Sequence, residues 1–128
     1  MANVNDPDGF TPAYHMSGGT IRPSEFAIAS ATNASIFSGD VVNLSSGLVI
    51  QGTATGTPLG VFAGVEYTAT TGEIVFAKMW TADIATLGSA NAKAYVYVDP
   101  DIVYEAQATA TPTQASIGTT NTISTTAG

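Results

Sequence analysis

The sequence predicts an all-β protein: a small β-barrel or sandwich domain with an extended N-terminal arm. Three observations predict it. Short stretches rich in β-branched residues are punctuated at close spacing by Gly or Ser-Gly. No segment keeps its apolar residues at the 3.6-residue period of an amphipathic helix. The 128 residues, about 13.0 kDa, fit one domain.

Residues 1–23 read as the arm. They hold Pro7, Pro12 and Pro23 with Gly9, Gly18 and Gly19, and their large apolar residues, Phe10, Tyr14, Met16 and Ile21, follow no period. That pattern suits an extended arm rather than a helix or a packed strand. Solvated tails rarely carry such groups, so these side chains dock either on the protein's own body or on a neighbouring chain.

Residues 24–107 read as the β body. Asp40-Val-Val-Asn-Leu44 and Gly47-Leu-Val-Ile-Gln51 are two short strands. From Pro58 to Tyr67, Leu59, Val61, Ala63 and Val65 share one parity, and Gly60 and Gly64 mark a bulge or a close backbone approach. Residues 70–73 form a turn into a strand running from Ile74 to Trp80. Residues 81–87 suit one helical turn capped by Thr81 or Asp83. Ala94-Tyr-Val-Tyr-Val98 and Ile102-Val-Tyr-Glu-Ala-Gln107 read as a hairpin, with Asp99-Pro-Asp101 as its turn. Residues 108–128 form an uncharged Thr/Ala-rich segment that suits strand pairing with a partner, or an incomplete continuation of the fold.

Charge removes several classes of function. Only 10% of residues are charged, and the cations are Arg22, Lys78 and Lys93 against ten acids, for a net charge of −7. Three scattered cations cannot neutralise a phosphate backbone or hold an anionic membrane, so neither nucleic acid nor membrane is an expected partner. No apolar run approaches the roughly 18 residues of a membrane helix, and the first residues have no signal-peptide pattern. With no Cys there are no disulfides, thiolate metal sites or Cys nucleophiles.

The chemistry is equally sparse. His15 is the lone histidine and reads as structural or exposed. There is no Gly-x-Ser-x-Gly elbow and no phosphate-binding loop with its lysine; the run from Gly52 to Gly60 reads as a surface loop. Asp6 and Asp8 fail as the start of a calcium loop, because Val4 and His15 fall where carboxylates belong. Asp99 and Asp101 are explained by turn chemistry without a metal. Glu66, Glu73 and Glu105 are carboxylates with no cleft to face. No catalytic residue, cofactor or metal is expected.

Interaction is the better reading. Trp80 closes an alternating strand and serves as core or as an intersubunit anchor, as do Phe62, Phe76, Tyr95 and Tyr104. A body of about 85 residues makes a marginal core, which favours a homo-oligomer.

The ordered motifs resemble a known family. Met1-Ala-Asn3, Gly9-Phe-Thr-Pro12, His15-Met-Ser-Gly-Gly19, Gly39-Asp-Val-Val42, Leu59-Gly-Val-Phe-Ala-Gly64 and Asp99-Pro-Asp-Ile-Val-Tyr-Glu-Ala-Gln107 follow in the order found in tailed-bacteriophage head decoration (cement) proteins of the marine and cyanophage type. The stretch from Leu59 to Trp80 also resembles the central hairpin of lambda-type decoration proteins, which implies a β-tulip-like core. The resemblance implies a virion protein on the exterior of the head, assembled in the host cytoplasm, that binds the phage major capsid protein. It would cement neighbouring capsid subunits against the pressure of packaged DNA, as a trimer in preference to a dimer. Phe10, Pro12, Tyr14, His15 and Ile21 would form the capsid interface. The rival reading is a surface adhesin or head-fibre module for host glycans, with Asp99 and Asp101 as calcium ligands.

Overall fold

Ten strands make up the computed structural model, which describes residues 9–53, 56–108 and 111–120 and is all-β. In chain order they are β1 (Thr11–His15), β2 (Ser24–Ile28), β3 (Ile36–Phe37), β4 (Val41–Ser45), β5 (Leu48–Gln51), β6 (Pro58–Thr68), β7 (Ile74–Ala77), β8 (Met79–Trp80), β9 (Ala92–Tyr97) and β10 (Ile102–Glu105).

Five of them close a barrel in the order β4-β5-β2-β9-β6, with β6 returning to β4. Its pairs are antiparallel except where β2 meets β5 in parallel at Ala27 and Leu48. Closure removes the free edges that make small sheets prone to aggregate. Alternation along β9 sends Ala92, Ala94 and Val96 inward, where they meet Ile28, Phe62 and Val65 from the strands on either side. Those two alanines leave interior volume for large neighbours. Phe62 and Trp80 take it, both fully buried.

Local chemistry sets the corners. Ser46 and Gly47 both have positive φ (51° and 79°), the mirror-image two-residue turn that matches strand twist, and they join β4 to β5. Gly60 passes so close to the Tyr97 carbonyl that a Cβ there would collide with it. Gly64 borders the register shift between β6 and β9. These are the close approach and the bulge that the two glycines announce.

β6 spans 11 residues and serves two partners along one edge. Its first residues close the barrel on β4, and Val65 to Thr68 continue past the barrel to pair with β7. Outside the closed sheet lie two ribbons, β1 with β10 and β3 with β8. Trp80 of β8 reaches the core opposite Ile36 and meets Tyr67 edge-to-face, with centroids 5.6 Å apart.

Five expectations are corrected. First, residues 11–15 are a strand paired with β10, extended as read but hydrogen-bonded to the body, and none of the five is buried. Second, β9 and β10 do not form a hairpin. Both edges of β9 are already taken by β2 and β6, so the turn at residues 99–101 carries the chain out of the barrel to meet β1. Third, residues 81–87 contain no helical turn: Asp83 has φ +62° and donates its N–H to the Thr32 carbonyl, while Ile84 accepts from Ala31. The only helical turns among the described residues are 3₁₀ segments at Leu87–Ser89 and Gln114–Ser116. Fourth, Gly52 is buried beneath Val41 and residues 58–60 belong to β6, so the surface loop is shorter than it reads. Fifth, the strand predicted from Ile74 to Trp80 is interrupted at Lys78, whose carbonyl accepts from Ser38 as the chain turns towards β3.

Candidate functional site

The arm crosses the barrel at one corner. Gly9 passes over Gly39 so closely that a Cβ would lie 2.6 Å from its carbonyl oxygen, and the Phe10 N–H donates to that oxygen at 2.8 Å. Gly39 in turn donates to Phe62, and Phe62 donates to Asp40, both at 2.8 Å. The Phe10 ring meets Tyr104 of β10 edge-to-face at 6.3 Å. Burial is the main cause that pushes the Tyr104 hydroxyl above its ordinary 10.0, with Tyr97 and Asp99 adding to it. Four motifs far apart in sequence, around Gly9, Gly39, Phe62 and Tyr104, therefore converge on one structural joint.

The far end of β1 is clasped. His15 Nε2–H donates to Asp99 Oδ2 at 2.8 Å, and its Nδ1 accepts from the Ser17 amide at 3.2 Å and the Ser17 hydroxyl at 2.7 Å. These partners fix the neutral Nε2–H tautomer and satisfy both ring nitrogens. Asp99 Oδ1 accepts from the Asp101 amide at 3.0 Å, and the Met16 amide donates to the Asp101 carbonyl at 2.8 Å. The Asp101 amide, then the His15 ring, hold the Asp99 carboxyl below its ordinary 3.8. His15, Asp99 and Asp101 place ligand-type atoms within 4.8 Å of one another. One nitrogen and two exposed carboxylates are a thin donor set for calcium, which takes six to eight oxygens, and the hydrogen bonds already account for the geometry.

The sequence-predicted residues separate into distinct places. Phe10, Pro12 and Tyr104 meet across the β1–β10 ribbon, where Pro12 stands opposite Tyr104. Tyr14 projects from β1, 59% exposed, and Met16 follows it at 69%. Ile21 is half-buried in the connection before β2. Trp80 and Phe62 are core. Phe76 is not: it is 71% exposed on β7, next to Ile74 at 61%. Tyr95 lies half-buried on the barrel exterior and donates its hydroxyl to Glu66 at 2.8 Å. That bond, then desolvation and the charges of Glu66 and Glu25, pushes Tyr95 above 10.0. Sequence reasoning missed Ser17, whose hydrogen bonds set the histidine tautomer, and Ile74. Ile74 and Phe76 share a parity in an alternating strand, and that is the signal that could have paired them.

Among the described residues, β1 and β10 have no strand neighbour besides each other. No helix among the described residues is long and apolar enough to cross a membrane. Comparisons with protein-family models, with curated proteins and with solved structures find no match.

Proposed function

We propose that this chain is a structural virion protein that binds the outer surface of an expanded phage head and cements neighbouring major-capsid subunits. The convergence of the motifs on one joint supports this reading. Gly9-Phe10, Gly39-Asp40, Phe62 and Tyr104 are the pieces that carry the resemblance to decoration proteins, and they form one mechanical unit instead of scattered matches. The unit holds up an uncharged strand whose outer edge is free to pair, with Tyr14 and Met16 exposed beside it.

The mechanism follows from those features. A capsid strand or arm adds to the open edge of β1, main-chain hydrogen bonds supply affinity, and Tyr14 sets register. Several copies of β1 on one oligomer multiply weak contacts through effective concentration. The −7 charge is repelled by DNA, which suits a part mounted outside the shell that contains it.

The test is co-sedimentation with expanded empty heads of its own phage. The native protein pellets with the heads; Tyr14→Lys combined with Met16→Lys, which alters only exposed side chains, stays in the supernatant. Pelleting of that variant at the native level would remove the β1 reading, and failure of the native protein to pellet would remove the capsid reading.

A further inference from the structure

The ring of His15 joins a carboxylate to a hydroxyl. Its Nε2–H donates to Asp99 Oδ2 at 2.8 Å, and across the ring Nδ1 accepts from the Ser17 hydroxyl at 2.7 Å. A serine, an imidazole that takes its proton and a carboxylate that holds the imidazole are the parts that activate a serine oxygen for attack. They are recognised by geometry and role, whatever their order in the chain. Exposure is graded to suit: the His15 side chain is 11% exposed, and Ser17 stands at the surface.

We propose that Ser17 is an activated nucleophile, and that this turn hydrolyses small esters with good leaving groups by acyl transfer. Four features of the turn fit that role. The Ser17 amide also donates to Nδ1, at 3.2 Å, which keeps the ring proton on Nε2 and leaves Nδ1 as the base. The Asp101 amide donates to Asp99 Oδ1 at 3.0 Å and fixes the carboxylate that faces the ring. Gly19 leaves the hydroxyl open, because a Cβ there would lie 3.4 Å from Ser17 Oγ and 3.7 Å from His15 Nδ1. Among the described residues the Gly19 amide donates to no acceptor, so the same turn offers a backbone N–H to a developing oxyanion. Ser17 lies on an open surface, where binding contributes little, and that restricts the substrates to reactive esters.

The step balances within these groups. Ser17 Oγ attacks the ester carbonyl carbon as its proton passes to His15 Nδ1, and the Asp99 carboxylate offsets the charge of the imidazolium. The bond from that carbon to the leaving oxygen breaks, and the alcohol departs with the Nδ1 proton. Water then attacks the acyl-serine and gives a proton to Nδ1. The acid leaves, and Ser17 regains its hydrogen from the ring. Ester and water become acid and alcohol.

The inference goes beyond capsid binding and does not depend on it, so no heads enter the test. Native protein is incubated with a biotinylated fluorophosphonate, from which Ser17 Oγ displaces fluoride, and labelled residues are located by peptide mass spectrometry. Ser17 is labelled; the exposed Ser45 and Ser46, which make no bond to the lone histidine, are not. His15→Gln leaves the barrel folded by circular dichroism and slows labelling about a hundredfold or more, as loss of a general base does.

Asp99 is a positioning residue, and its variant has a separate readout. Asp99→Asn offers one acceptor to the two donors that Asp99 serves, so the imidazole loses its fixed tautomer. Labelling slows at least about tenfold, and the ring nitrogen resonances depart from the Nε2–H pattern of the native chain. Turnover is read with p-nitrophenyl acetate: Ser17→Ala, which changes only an exposed hydroxyl, lowers hydrolysis to the level of His15→Gln. Ser17 labelled no faster than Ser45 and Ser46, or labelling indifferent to His15→Gln or Asp99→Asn, would overturn the inference. So would hydrolysis that survives Ser17→Ala and disappears in His15→Gln, since the imidazole itself would then be the nucleophile.

Discussion

Trp80 shows how one residue organises the interior. It arrives from outside the closed sheet, on a two-residue strand, and fills the volume left by Ala92 and Ala94. Its Nε1–H is buried with no partner among the described residues, so the indole stays in place through packing in the core, where Tyr67 and Ile36 meet it. Two variants separate packing from polarity. Trp80→Ala leaves a cavity and lowers stability by about 3–5 kcal/mol. Trp80→Phe keeps a ring against Tyr67 and removes the unsatisfied donor, so its loss is less than half as large. Urea unfolding of both variants checks the ordering; equal losses would assign Trp80 a role other than packing. The demand for burial was legible in the sequence, since a lone Trp closes an alternating strand. Its destination was not, because alternation gives the face of a strand and not the neighbour it meets.

At the scale of elements, the β1–β10 ribbon depends on its two ends, the Phe10–Tyr104 contact and the His15–Asp99 clasp. The clasp makes its hold pH-dependent. Asp99 is bound more tightly as the carboxylate in the folded ribbon, so its contribution is complete above the ordinary value of 3.8 and is lost as pH falls through the lower folded value. An NMR titration of the Asp101 amide, which donates to Asp99 Oδ1, registers this as a transition with its midpoint below 3.8. Asp99→Asn removes that transition, and a transition that survives in the variant would place its origin elsewhere. The ribbon is also where sequence reasoning failed most clearly. Two alternating segments flanking Asp99-Pro-Asp101 look like a hairpin because consecutive strands are usually neighbours. Here β9 is a central barrel strand with both edges filled, and the turn residues bend the chain out of the sheet. Conversely, Gly60 and Gly64 could be read correctly, since a glycine within a strand reports a steric constraint that is itself local.

At the scale of the whole molecule, uncharged contacts carry the fold. Among the described residues one ion pair occurs, the exposed pair of Lys93 with Glu25 at 3.8 Å, while the neutral His15 meets Asp99 through a hydrogen bond. Exposed pairs contribute little, and ten acids among three cations repel one another. Added salt therefore screens more repulsion than attraction. Between low salt and about 1 M NaCl, where the screening length falls to about 3 Å, unfolding free energy near neutral pH rises, by less than about 1 kcal/mol. A fall in the urea midpoint with salt would mean that ion pairs hold the barrel. The all-β class was legible from composition and spacing at this scale. A barrel stood beside a sandwich as the expected form; the choice between them was not legible, because closure depends on β6 being long enough to serve two partners along one edge. The pairing of β1 with β10 has a further consequence, which is temporal. The clasp joins residues 84 apart in sequence, and translation proceeds at about 5–20 residues per second. For roughly 4–17 seconds of synthesis, β1 is thus a nascent strand whose partner has yet to be made, and every barrel strand leaves the ribosome before the ribbon can close.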